Sequence, residues 1–148
     1  MPKKHPDHHD AELALRAYEL RREPVMRESR AAVAQEFWPK SFDDVLAVTK
    51  YEHPLNRPFR QCATYWEMVY GIVKHGIVNP DYFLESNGEG LFLFAKVAPY
   101  LDDYRDQVSP LGFRNAEWVA TECRPGRKLY EVIEARVKKL AAAREQKG

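Results

Sequence analysis

The sequence predicts an all-α fold, a single compact irregular bundle of about seven or eight helices, on three observations. Nowhere does clean apolar/polar alternation run between turn signals, so no segment reads as a half-buried strand. Apolar residues recur instead at spacings of three and four through most of the chain. Helix start and stop signals punctuate it at short intervals. The 148 residues include 7 Phe, 3 Trp and 8 Tyr, enough buriable surface for a core without metals or disulfides.

Residues 1–9, "MPKKHPDHH", read as a flexible His-rich tail, and residues 10–146 as a single helical domain. Asp10 is the expected N-cap of the first helix, whose stripe is Leu13, Ala17 and Leu20 with Ala14 and Tyr18 beside them. Pro24 either kinks this helix or opens a second one at its first turn. The second segment carries Val25, Ser29, Val33 and Phe37 at spacing four, and "WPKS" stops it. Ser41 with Asp44 three residues later resembles a capping box with Asp in place of Glu, opening a short helix through Val45, Leu46 and Val48. "YEHPLNRP" reads as loop, because each proline biases its predecessor away from helix. The next helix is expected from near Pro58 to His75, stopped by a left-handed Gly76. Asn79, Pro80 and Asp81 then supply a cap, a proline at the first helical position and an acid in the first turn. That short helix ends at "SNGEG". "LFLFAKVAPYL", apolar nearly all round, is the expected central buried helix, kinked or restarted at Pro99. "SPLG" is a turn, Phe113 to Glu122 one more helix, and "RPG" a break. The last helix, about 128–144, places Leu129, Ile133, Val137 and Leu140 on one side and a Glu134–Lys138 pair on the other, and is free to project past the body.

Charge and composition exclude several function classes. The net charge of +1 argues against a general nucleic-acid binder, although residues 31–123 carry 8 basic and 13 acidic groups and residues 124–148 carry 8 basic and 3 acidic. No apolar run approaches the roughly 20 residues of a membrane span; the longest, Leu91 to Ala98, is interrupted by Lys96. The N-terminus has lysines without an apolar stretch after them, so it does not read as a signal peptide, and a cytoplasmic location is expected. Cys62 and Cys123 lie outside any CxxC spacing and read as free thiols in or near the core.

The candidate chemistry is thin. His5, His8 and His9 alternate with Asp7 and Asp10, ligand types that zinc, nickel or copper accept, but in a tail with nothing to orient the rings. His53 and His75 form no HxxxH or HExxH pair, and His75 suits the carbonyl end of its helix. On the helix through Tyr65, Trp66, Val69, Ile72 and Val73, Glu67 falls off the aromatic face, beside Ala63, Tyr70 and Lys74. A general acid wants the opposite, an apolar pocket that raises its pKa. "ESNGEG" lacks the lysine and hydroxyl of a phosphate loop, and Glu85 and Glu89 would repel phosphate. "KHGIVNPDYF" has the outline of a helix-turn-helix, yet its second helix opens on Pro80-Asp81 and suits packing. No catalytic, cofactor-binding or metal-ligating residue is therefore assigned, and whether Glu67 or Glu89 faces a pocket is a question for the structure.

The order of "QEFWPKSFDDV", a polar loop, "YWEMVYGIVKHGIVNPDYF", "GLFLFAKVAPYLDDYR" and "NAEWVA" resembles an uncharacterised bacterial family of all-helical domains of unknown function, over about residues 31–120. Glu67, Gly76, Asn79 to Phe83 and Pro99 to Leu101 stand where that family has an aromatic-acidic helix, a glycine stop, a capped restart and a Pro-Tyr-Leu step. The resemblance implies a helical fold and brings no catalytic residues. Some relatives carry an N-terminal membrane helix, which is not seen here, so it implies a soluble version.

The leading functional expectation is a non-enzymatic protein-interaction module, with an unknown protein partner or self-association through the first or last amphipathic helix. The alternative is a small-ligand or metal-binding protein, using an aromatic pocket near Trp66, Tyr70 and Tyr100 or the N-terminal histidines. An enzyme of unrecognised type comes third. Membrane and nucleic-acid partners are not expected, and no cofactor is.

Overall fold

The first helix starts at Asp7 and not at Asp10. In the computed structural model, which describes residues 3–147, the Asp7 carboxylate accepts the backbone N–H groups of His9 (3.0 Å) and Asp10 (3.2 Å), and α1 runs His8–Arg22. Asp10 is fully buried instead. Its carboxylate is shared between the Lys3 ammonium (2.6 Å) and the backbone N–H of Asn79 (2.8 Å). Both aspartates satisfy the local rule for a cap, and a contact 69 residues away decides which of them serves. The Asn79 side-chain amide completes the junction by donating to the carbonyls of Lys3 and Lys4.

Pro24 opens α2 (Pro24–Glu36) at its first position, where its missing N–H has no intrahelical partner to lose, and the Glu23 carboxylate caps Met26 at 3.1 Å. α3 (Phe42–Val48) begins after Ser41, but only half of the expected capping box forms, and one residue out of place. The Ser41 hydroxyl makes no cap bond, and Asp44 accepts from the Lys40 N–H at 2.8 Å. α4 (Asn56–Lys74) starts two residues before Pro58, because the Asn56 side chain anchors it to the Val48 carbonyl at 2.8 Å. Its end follows the sequence signal. Gly76 adopts φ 72°, its N–H reaches the Val73 carbonyl (3.1 Å), and the Ile77 N–H reaches Ile72 (3.2 Å), the paired bonds of a Schellman stop. Asn79 then accepts the Tyr82 N–H at 2.8 Å to open α5 (Pro80–Ser86).

α6 (Glu89–Val97) buries seven of its nine residues, as an all-round apolar helix must. Pro99 ends it in a 3₁₀ turn (Ala98–Tyr100) that leads into α7 (Leu101–Gln107). Phe113, left-handed at φ 59°, precedes α8 (Arg114–Thr121). α9 (Arg124–Lys147) begins four residues before the expected Lys128. "RPG" opens this helix and does not break it: Pro125 falls in the first turn, where proline is tolerated. Gly126 is where α9 crosses α8, and any Cβ there would overlap the Val119 carbonyl oxygen.

α4 packs against α2 and α8, and α6 lies against α8 and α9. At the centre the Trp66 and Tyr70 rings, 5.4 Å apart, close over Gly90; a Cβ there would come within 2.6 Å of Trp66 and 2.7 Å of Tyr70. Tyr70, Phe83, Leu91 and Val119 are fully enclosed, and burying each contributes about 1.5–3 kcal/mol. The all-α bundle predicted from sequence is the fold observed. Nine α-helices stand among the described residues because the chain breaks at both Pro24 and Pro99, and no strand does. No described helix is long and apolar enough to cross a membrane.

Candidate functional site

Glu67 leaves the aromatic face of α4, as its position predicts, and goes to the start of α8. Its two oxygens accept the backbone N–H groups of Asn115 (3.0 Å) and Ala116 (2.9 Å), while the Asn115 amide donates back to the Glu67 carbonyl (2.9 Å). Phe113 has no polar side chain with which to cap α8, so a carboxylate from another helix caps it and meets the positive end of its dipole. Both oxygens are engaged in structure. Glu89 forms a fork with Arg30, Nε to Oε2 at 2.7 Å and Nη2 to Oε1 at 2.8 Å, and this pairing raises the guanidinium pKa. The pair stands at the rim of a hollow of about 240 Å³ that Cys62, Trp66 and Lys96 also line.

The other sequence candidates scatter. The exposed rings of His8 and His9 lie 4.7 Å apart, His9 faces Glu12 at 3.7 Å, and His5 is exposed. Among the described residues no three His, Cys, Asp or Glu side chains gather in a metal-binding group. Cys62 and Cys123 are buried free thiols; burial pushes Cys62 up to about 12 and raises Cys123 as well, which makes both poor nucleophiles. Trp66, Tyr70 and Tyr100 do not form one pocket. The first two stack in the core, and Tyr100 lines a separate cleft against α9.

That cleft, of about 610 Å³, holds the feature that sequence reasoning missed. Lys96 is 5% exposed, on the one stretch of α6 that has to be buried all round. Its Nζ donates to the Val33 carbonyl (3.1 Å) and lies 4.0 Å from the centre of the Trp38 ring. Among the described residues no carboxylate lies within ion-pair distance of it. Burial, and then repulsion from Arg144, bring its amine from 10.5 down to about 8. Trp38 is fixed by its own indole N–H, which donates to the Ala34 carbonyl (3.0 Å), and by the edge of Phe92. Arg144, at the far end of α9, donates to the Gln35 carbonyl (2.6 Å) and lies 5.0 Å from the same indole. Two cations thus converge on one tryptophan. Lys40 and Lys138 line the cleft as well; of its two acids, Glu134 and Glu145, the first faces Lys138 at 3.5 Å.

The other buried cation shows the contrast. Arg21 is 7% exposed and donates to Asn87 Oδ1 (2.6 Å), the Ser86 carbonyl (3.1 Å) and the Tyr65 hydroxyl (3.3 Å), with the Trp66 ring 5.2 Å away. Several neutral acceptors and a ring surround it, so it ties α1 to α4 and α5. Lys96 has one acceptor for three donors and stands in the wall of a cleft. A further cleft of about 740 Å³ lies between the Gly76 corner and the α8–α9 connection. Its buried polar residue, Asn79, is already bonded through both its backbone and its side chain.

A family model described as Domain of unknown function (DUF4760) matches residues 6–123, and the chain belongs to that family. The match takes in α1 and the first part of α2, which the sequence resemblance left out. No curated protein and no solved structure matches the chain. Trp38 and Lys96 lie within the matched span, and Lys138 and Arg144 beyond it.

Proposed function

We propose that this DUF4760 chain is a non-catalytic binding domain that takes a small anionic molecule in the cleft between Trp38 and α9. One observation carries the reading: Lys96, a buried cation in the cleft wall, has no carboxylate partner among the described residues. Burying an unpaired charge costs several kcal/mol, and an arriving anion offsets that cost. Arg144, Lys138 and Lys40 add positive potential, while Trp38 and Tyr100 supply flat apolar walls. The cleft's volume falls in the range of about 300–1,000 Å³ typical of small-molecule sites. A phosphate or carboxylate on a flat apolar body fits these walls and charges.

Thermal unfolding with inorganic phosphate and with phenyl phosphate tests it. Both should stabilise the chain, phenyl phosphate more strongly, by about 2.7 kcal/mol at a hundredfold excess over Kd. Arg144→Gln should remove most of the effect. If neither compound raises the melting temperature, or Arg144→Gln responds like the parent chain, the reading falls.

A second reading, a protein-interaction module that self-associates, is favoured by exposed apolar groups on the two end helices. Leu15 (64% exposed) and Tyr18 (48%) stand on the outer side of α1, and Val132 (68%) on α9. The excess of basic residues in 124–148 also complements the acidic excess in 31–123. Light scattering that found a monomer at high concentration would remove this reading. A dimer lost in Leu15→Lys and Tyr18→Lys would support it.

A further inference from the structure

We propose that Lys96 is a covalent anchor, its amine forming an imine with small aldehydes that carry a phosphate or carboxylate. The proposal rests on the anion-binding reading and adds a reaction to it. Three features of the cleft lead there. Lys96 forms part of the cavity wall, and its amine is held by one protein acceptor, the Val33 carbonyl. A second cation, Arg144, shares its indole neighbour, an arrangement that disfavours the ammonium form as burial does. The cations that an anionic ligand needs, Arg144 and Lys138, line the same cleft from α9.

The charge balance around the amine points the same way. On the cleft side Lys40, Lys138 and Arg144 outnumber Glu134 and Glu145. On the side of the smaller hollow stand Arg30 and Arg136, Glu89 is held by Arg30, and Cys62 stays protonated. With its amine brought down to about 8, Lys96 carries roughly three hundredfold more neutral amine at pH 7 than a free lysine. Neutral amine is the nucleophile. It adds to the aldehyde carbon, a C–N bond forms, and the carbonyl oxygen leaves as water with the two amine hydrogens. No oxidant or reductant is required.

Pyridoxal 5′-phosphate is a suitable probe, having an aldehyde, a phosphate and a flat ring; pyridoxine 5′-phosphate lacks only the aldehyde. The full chain is treated with limiting pyridoxal 5′-phosphate near pH 8, reduced with borohydride, and mapped by peptide mass spectrometry. Lys96 should be labelled about tenfold or more faster than the average lysine, as its larger neutral fraction requires. Lys96→Arg, which keeps the charge, should abolish the imine absorbance and retain stabilisation by pyridoxine 5′-phosphate. Lys96→Met is a second control for loss of the absorbance. If label spreads over surface lysines without preference for Lys96 while pyridoxine 5′-phosphate still stabilises, the imine is refuted and the binding reading stands. If the aldehyde-free probe fails as well, both fall.

Discussion

Lys96→Met will stabilise the protein at pH 7, and the gain will shrink as the pH rises. The Lys96 amine titrates at about 8 in the folded chain, against 10.5 for a free lysine. Below pH 8 it is charged in both the folded and the unfolded state, and folding bears the whole penalty of burying it. Between about 8 and 10.5 the folded state has released the proton and the unfolded state has not, so stability climbs with pH. Above 10.5 the penalty is gone. Two and a half pH units at about 1.36 kcal/mol each put it at roughly 3 kcal/mol. The variant loses the amine's bond to the Val33 carbonyl at every pH, about 0.5–1.5 kcal/mol, which acts the other way. The Val33 carbonyl is not orphaned, because it also accepts the Phe37 N–H at 3.1 Å. Methionine fills a similar volume without branching. The net gain at pH 7 is about 1.5–2.5 kcal/mol, or about 3–10 °C in Tm for a chain of this length. Urea unfolding at pH 7 and again near pH 10.5 measures it. A loss of stability at pH 7, or a gain of the same size at both pH values, would refute the picture of Lys96 as a strained, buried cation.

Two further outcomes test the frame around the cleft. Glu67→Ala removes both acceptors at the start of α8 and should lower stability by about 1–2 kcal/mol in urea, with stabilisation by phenyl phosphate intact; unchanged stability would show the cross-helix cap to be idle. Gly90→Ala drives a methyl group into the Trp66 and Tyr70 rings and should cost about 1–3 kcal/mol with a shifted near-ultraviolet dichroism signal, and a silent variant would contradict that packing.

What could be read from sequence divides by the range of the interaction. The Gly76 stop and the Asn79-Pro80 restart were legible because each is set by bonds within a few residues. Asp7 and Asp10 were not distinguishable, since the choice between them is made by Asn79. "RPG" looked like a breaker because proline and glycine usually are. It opens α9 because proline is harmless in a first turn and the Val119 backbone leaves room only for glycine. Glu67 was placed on the correct side of α4, but its partners on α8 lie 48 and 49 residues on and carry no local signal. Lys96 could have been found. It is the lone cation in a segment read as buried all round, and a helix buried all round buries its lysine too.

The Arg21 and Asp10 contacts also bear on the order in which the chain acquires its structure. The buried bonds that tie α1 to α4 and α5 span 44 to 69 residues of sequence. A helix of 15 residues is marginal by itself. During synthesis α1 therefore emerges with only α2 to pack against, and its buried bonds wait until Tyr65, Asn79 and Asn87 have been made and α5 has formed. Although it precedes its partners in the sequence, α1 is thus among the last elements to be secured. In pulse-labelled refolding, the backbone amides of α1 should gain protection from exchange after those of α4.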